Sequence, residues 1–388
     1  MTKTLYKNAK VFTGKNERFE TLDFVVDDKK GNFVEDEKAE QTVDLAGKYV
    51  MPGMINAHTH IVADPYGRIT SLGGTATKSP AYTFVALSNL QKLLTDGVTY
   101  IRDVGSVFEV DIELAALERQ GDLFSPGIVA SGYPLTMTGG HFSEGSYEVD
   151  GVDEVRKYAR LLLKKGVGNV KLMATGGVSF DGETPHDIQL TEEELRVAVE
   201  EAHHKGRTAN AHAQGTEGIQ NALRAGVDSI EHAVYLDDET IDMFLQRGTY
   251  IVPTLTAPWA MIQEADQLPE FMVQKSLELS EAHSQSIGKA AQAGVPIAMG
   301  TDSGTAFNNF DKNSSIELEL MVNAGVTNLQ VLQAATINSA KLLQIDQKAG
   351  TIEAGKLADF IVLDEDPLKD IKVMQKEKTV FKKGIEIK

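Results

Sequence analysis

From about Tyr49 to Ala349 the sequence repeats one unit, a short apolar strand, a loop and a helix, and this alternation constrains the fold more than any other feature. The candidate strands are Val50 to Asn56, Thr99 to Val104, Gly127 to Ala130, Asn169 to Met173, Arg207 to His212, Ser229 to His232, Tyr250 to Thr254 and Pro296 to Gly300. Two of the intervening helices open on reciprocal capping pairs, Thr191 with Glu194 and Thr327 with Gln330. Gly97, Gly166, Gly206, Gly226 and Gly294 stand where a helix hands over to the next strand, the usual place of a left-handed cap. Strict alternation of this kind implies an α/β fold with a parallel sheet. No Gly-x-Gly-x-x-Gly opens the first helix, so the units point to a (β/α)8 TIM barrel over 51–349 in place of an open, doubly wound sheet.

The two ends of the chain read differently. Leu5 to Phe12, Leu22 to Val26 and Gln41 to Leu45 are short strands separated by polar turns, and Thr351 to Asp364 with Val373 to Ile387 return to the same pattern. Residues 1–50 and 350–388 are therefore expected to meet as a small composite β-sandwich domain beside the barrel.

Composition narrows the function. The 38 Lys and Arg against 56 Asp and Glu give a net charge of −18, which argues against a nucleic-acid partner. No apolar run approaches the roughly 18 residues of a membrane span, and Met1 to Lys10 lacks the apolar segment of a secretory signal, so a cytoplasmic protein with no membrane partner is expected. Cysteine is absent, which excludes thiol nucleophiles and thiolate metal sites and leaves His, Asp, Glu and Lys as the groups able to hold a metal.

Barrel active sites form at the C-terminal ends of the strands. His58 and His60, two apart in an extended segment, point the same way and can reach one metal, although two polar loop histidines would look alike. Alternation in Asn169 to Met173 turns Lys171 toward the barrel axis. A lysine there either snorkels to the mouth or, desolvated to a neutral amine, captures CO2 as a carbamate. His212 and His232 close two adjacent candidate strands, and Asp302 follows the eighth, where a carboxylate caps a helix or meets a cation.

The order of these groups, with the segments VMPGMINAHTH, GTDSG and AGKLADFIVLD, resembles the amidohydrolase superfamily over nearly the whole chain. KLMATGG, AHAQG and SIEHAVYLD look like its imidazolonepropionase-related branch, which contains metal-dependent Xaa-Pro dipeptidases. The resemblance implies a binuclear site. His58, His60 and Asp302 would hold one divalent ion, His212 and His232 the second, and Lys171, carboxylated by CO2, would bridge the two. Zn2+ suits this ligand set. A metal-bridging hydroxide would attack an amide carbonyl, with Asp302 carrying the proton to the departing amine.

Resemblance further implies that His141, in MTGGHFSEG, helps polarise the substrate carbonyl and that Tyr235 contacts the substrate's polar end. Asp103 is a candidate partner for a metal histidine, whereas His186, His203, His204 and His283 are read as surface or helix residues. Imidazolonepropionases lack the bridging lysine, so Lys171 speaks against that activity. The expected substrate is a small molecule, a dipeptide such as Xaa-Pro or an N-acyl amino acid. The alternatives are a cyclic amide, lactone or carbamate in the same cavity and, remotely, a noncatalytic assembly protein that has lost its ligands. A homo-oligomer is expected. The loops Ala63 to Ser79, Gly132 to Gly151, Gly176 to Leu190 and Ser303 to Asn313 are the candidate specificity loops.

Overall fold

The computed structural model describes residues 3–35, 38–67, 79–178 and 182–387. The chain begins with β1 (Lys3–Val11), β2 (Glu20–Asp27), β3 (Asn32–Val34), β4 (Gln41–Asp44) and β5 (Tyr49–Pro52). It then alternates through β6 (Met54–Thr59), α1 (Ser79–Thr95), β7 (Val98–Asp103), α2 (Val110–Gln120) and β8 (Gly127–Val129). Two-residue strands β9 (Leu135–Thr136) and β10 (Tyr147–Glu148) precede α3 (Val152–Lys165) and β11 (Asn169–Met173). Next come α4 (Glu192–His204), β12 (Thr208–Ala213), α5 (Thr216–Ala225), β13 (Ser229–His232), α6 (Asp238–Arg247) and β14 (Tyr250–Val252). The helices α7 (Thr256–Gln263), α8 (Glu270–Ala293), α9 (Asn313–Asn323) and α10 (Asn328–Gln333) lead to β15 (Phe360–Leu363), β16 (Thr379–Lys382) and β17 (Ile385–Ile387).

The parallel strands form two groups, β6–β7–β8 and β10–β9–β11–β12–β13–β14. Six of the eight candidate strands are present as single strands. Pro296 to Gly300 instead makes an isolated bridge from Ile297 to Ile251 and passes the Met299 carbonyl to the Ala57 N–H at 2.7 Å, so it runs between β14 and β6. Both capping boxes form as expected, at Thr191 and Thr327. The helices cover the strands, and their apolar faces join the strand side chains in one large core that includes Val170, Leu172, Leu195 and Phe244. No helix among the described residues is long and apolar enough to cross a membrane.

The terminal strands pair as one mixed sheet in the order β17–β16–β15–β5–β1–β2–β3, with β4 alongside β1. Its core is aromatic: Phe360 stacks on Phe381 with centroids 4.3 Å apart, and Tyr6 on Phe24 at 5.0 Å. Two expectations need correction here. The run Val50 to Asn56 is not one strand, because Gly53 breaks it: the Gly53 N–H bonds Asp359 O of the terminal sheet, while the next N–H, of Met54, bonds Gly97 O. A Cβ on Gly53 would lie 2.3 Å from Thr99 Cγ2, so only glycine permits the crossing there. The segment read as beginning a strand at Val373 is instead a 3-10 turn, Ile371–Gln375, capped by the Asp370 carboxylate on the Lys372 N–H.

A buried ion pair fastens the terminal sheet to β7. Lys382, fully buried, reaches Asp359 Oδ2 at 2.8 Å, donates to Thr99 O at 2.9 Å, and lies 4.4 Å from the centre of the Tyr100 ring. Removing one partner strands the other charge without water. Lys382→Ala is expected to lower unfolding stability by about 3–5 kcal/mol in urea denaturation, whereas Lys382→Met combined with Asp359→Leu recovers most of that loss.

Candidate active site

Strand ends place the polar groups. β6 carries His58, with His60 just past its end, β11 carries Lys171, β12 His212 and β13 His232, while Asp302 follows the segment beside β14. All six line one cavity of about 420 Å³. Both His58 Nε2 and His60 Nε2 lie 3.1 Å from Asp302 Oδ1, and the three residues form a compact potential metal cluster. From this cluster the imidazoles continue as a chain of ring contacts, His58 to His232 at 5.2 Å, His232 to His212 at 4.6 Å and His212 to His141 at 4.2 Å.

The tautomers follow from the partners on the far side of each ring. His58 Nδ1 meets Glu231 Oε2 at 2.6 Å and His60 Nδ1 meets the Gly105 carbonyl at 3.1 Å, so both nitrogens donate. Thr254 gives its hydroxyl proton to Pro253 O, and His232 Nδ1, 2.6 Å from that hydroxyl oxygen, must therefore be the donor. His212 Nε2 donates to Gly176 O at 3.1 Å. Each of the four imidazoles thus keeps its second nitrogen as a lone pair. For His58 and His60 the second nitrogen, Nε2, faces a carboxylate oxygen at 3.1 Å, an arrangement that a cation held between them would favour. The donor set of imidazole nitrogens and carboxylate oxygen fits a divalent ion such as Zn2+.

Burial tunes these groups. It drives His212 and His232 well below the usual imidazole range, with neighbouring histidines adding to the effect, so both are neutral donors at pH 7. Lys171 is 2% exposed, and burial lowers its pKa to about 8 against the opposing pull of Glu231 and Asp302. Burial alone would raise Asp302, yet His58 and His60 hold it well below the usual carboxylate range.

Several functional contacts were not legible in the sequence. Glu231, one residue before His232, receives Arg102 Nη2 at 2.7 Å and the Ser229 hydroxyl at 2.6 Å, as well as His58. Arg102 and Glu231 are both fully buried. A charged residue in the middle of each of two apolar strands was the available signal, since such charges must find each other. His283 is a helix residue, one of the two readings given for it, but a buried one: it is 1% exposed in the cavity wall, with Nε2 donating to His232 O at 2.8 Å.

Asp103 does not orient a histidine. Its carboxylate accepts from the backbone N–H of Ile61 at 2.6 Å and so fixes the loop after His60. His141 lines the cavity with Nδ1 2.8 Å from Glu183 Oε1, and Gly177 makes room for it, because a Cβ there would lie 2.6 Å from His141 Cε1. Tyr235 is not brought to the cavity among the described residues. The chain turns through left-handed φ at His232 and Ala233, and the Tyr235 ring packs against His186 at 4.8 Å. His203 pairs with Asp228 at the surface, as expected. Of the candidate specificity loops, Gly132 to Gly151 and Ser303 to Asn313 both reach the cavity, whereas residues 68–78 and 179–181 of the other two lie outside the described residues.

Comparison with known proteins agrees with this geometry. Residues 49–386 match the amidohydrolase family. The chain is 32% identical over 364 residues to the ochratoxinase of Aspergillus niger, covering 85% of this chain and 73% of that protein. Its structure superimposes on a crystal structure of a Xaa-Pro dipeptidase with bound methionine in the active site, with a TM-score of 0.90, 30% identity and 99% of both chains covered. A prolidase complexed with N-methylphosphonate-L-proline gives a TM-score of 0.89 at 27% identity, with 100% of both chains covered. With fold, family match and a cluster of metal-ligand side chains in accord, the chain belongs to the amidohydrolase family, in its prolidase-like branch, and is a hydrolase.

Proposed function

We propose that the chain is a binuclear metal-dependent amidohydrolase that cleaves the amide bond of a dipeptide, Xaa-Pro or similar, or of an N-acyl amino acid. The observation that carries this reading is the set of four imidazoles, each with one nitrogen engaged by the protein and the second left to ligate, gathered in one cavity with Asp302 and Lys171. In this reading His58, His60 and Asp302 hold one Zn2+ and His212 and His232 the second. Lys171, carboxylated by CO2, would be the ligand shared between them; its burial and lowered pKa favour the neutral amine that such capture needs. Two divalent ions bound there supply a water activated near neutral pH and polarise the scissile carbonyl.

The protein's own groups do the rest. Asp302 accepts the proton of the attacking water and passes it to the departing nitrogen, a role helped by its place between both histidines and the open cavity. His141, stacked on His212, adds a hydrogen bond to the substrate carbonyl. Glu231 keeps His58 in the tautomer that ligates. The scaffold of this reading is a (β/α)8 barrel over 51–349 with a composite β-sandwich domain from 1–50 and 350–388. The bonds from Met299 to Ala57 and from Gly168 to Ala130, which link the two parallel groups, support closure. A cytoplasmic homo-oligomer completes it.

Four measurements test the reading. Metal analysis of zinc-supplemented protein is expected to give about two equivalents, with release of free amino acids from a dipeptide and N-acyl amino acid library that stops on chelation and returns with Zn2+. Lys171→Ala should lose at least one equivalent and most activity, partly restored by a short carboxylate in the buffer; retention of both ions would remove the bridging role. Asp302→Asn should keep much of its metal while kcat falls about 10²- to 10⁴-fold. Glu231→Gln is expected to weaken metal binding about 10- to 100-fold in a competition titration with a chromogenic chelator.

A further inference from the structure

The apolar part of the cavity is built by two helices to which the chemistry above assigns nothing. On α8, Met272, Ser276, Leu279 and His283 recur at spacings of four, three and four residues and so lie on one face. Ser276 ties this face to α7 through its hydroxyl, 3.3 Å from Met261 Sδ. His283 ties it to the metal-ligand strand through the His232 carbonyl at 2.8 Å. Met261 and Leu279, each 3% exposed, line the same cavity as His232, joined by Met272 and by Pro258 of α7. Phe142 and Val107, from other loops, add apolar surface to it.

A wall of thioethers and a branched alkyl group has no hydrogen bond to offer an ionic or polar group, which would lose its water on entering. An aliphatic or aromatic group, by contrast, gains from the same desolvation, and methionine adapts its shape to several such groups. The polar side of the cavity is occupied by the metal-ligand residues, so the α7–α8 wall faces a portion of substrate next to the reacting bond. His283 keeps wall and reacting centre in fixed relation, because one of its nitrogens bonds the backbone of a proposed ligand.

We propose that the α7–α8 wall is a specificity pocket for a large apolar side group, and that the substrates are amides with a bulky aliphatic or aromatic group on one flank of the scissile bond. This rests on the reading of the site as an amide hydrolase. Met261 and Leu279 are its specificity-determining residues, and His283 is a positioning residue.

The test uses the full chain loaded with Zn2+ and two substrate series: N-acylglycines from acetyl to octanoyl, and N-acetyl amino acids from glycine to phenylalanine. Along one series kcat/KM is expected to rise about tenfold or more. Leu279→Asn and Met261→Gln should each flatten that series about tenfold, while the volume-conserving Leu279→Met retains it. Equal turnover along both series, or a preference that survives both polar variants, overturns the pocket and leaves amide hydrolysis standing. If neither series is hydrolysed, binding decides. Trp259, the single tryptophan of the chain, sits on α7, and its emission can be titrated with 4-phenylbutyrate and with acetate. Tighter binding of 4-phenylbutyrate that Leu279→Asn weakens about tenfold keeps the pocket and removes N-acyl amino acids as the substrates of the site. Equal, weak binding of both acids overturns the pocket.

Discussion

The contact on which the site depends is the buried ion pair between Arg102 of β7 and Glu231 of β13. Neither residue touches solvent, so each charge has given up its hydration, and their attraction repays that cost because each guanidinium nitrogen and both carboxylate oxygens have a partner. Arg102 donates to Glu231, Ser229 and the carbonyl of Ala57, which binds β6, β7 and β13 through one guanidinium. Glu231, held well below the usual carboxylate range by Arg102 and His58 against its burial, stays ionised and sets the orientation of His58. The convergence of His58 and His60 on Asp302 therefore follows from a charge pair in the interior, one layer below the cavity.

Above that layer the backbone is strained. His232, Ala233, Thr254 and Asp302 all have left-handed φ between 55° and 73°, a region that disfavours side chains and costs about 1–3 kcal/mol for each such residue. The strain persists because neighbouring contacts fix it. Glu317, fully buried behind them, accepts from the N–H groups of Leu255 and Thr256 and from the Thr256 hydroxyl, whose proton is also within reach of Thr301 O, just before Asp302. Turning each strand end sharply at its ligand lets the following loop leave the cavity without covering it.

What the sequence revealed and what it hid divide along the range of the interactions. His58, His60, His212, His232 and Asp302 were legible because residue type and position at a strand end are local facts. Lys171 was legible because a strand alternates. Arg102 and Glu231 carry their meaning only as a pair 129 residues apart, and a charge in an apolar strand says that it needs a partner without saying which. His283 lies on a 24-residue helix whose polar and apolar residues are mixed enough that periodicity does not reveal the face turned to the cavity. Tyr235 was placed by analogy, and the left-handed turn that redirects it has no glycine to announce it. In the fold, the single residue Gly53 separates two strands that hydropathy merges into one.

The terminal sheet has a consequence for how the protein is made. β5 pairs with β1 on one side and with β15 on the other, and the registers Pro52 to Phe360 and Val50 to Val362 join residues some 310 apart. At the usual pace of a ribosome, about 5–20 residues per second, the outer edge of β5 waits roughly 15–60 s for its partner. During that interval an apolar strand edge stands open beside the nascent parallel strands, so the half-made chain is the stage most exposed to mispairing. The Lys382 ammonium, made later still, then closes the seam by meeting Asp359 and the carbonyl of Thr99.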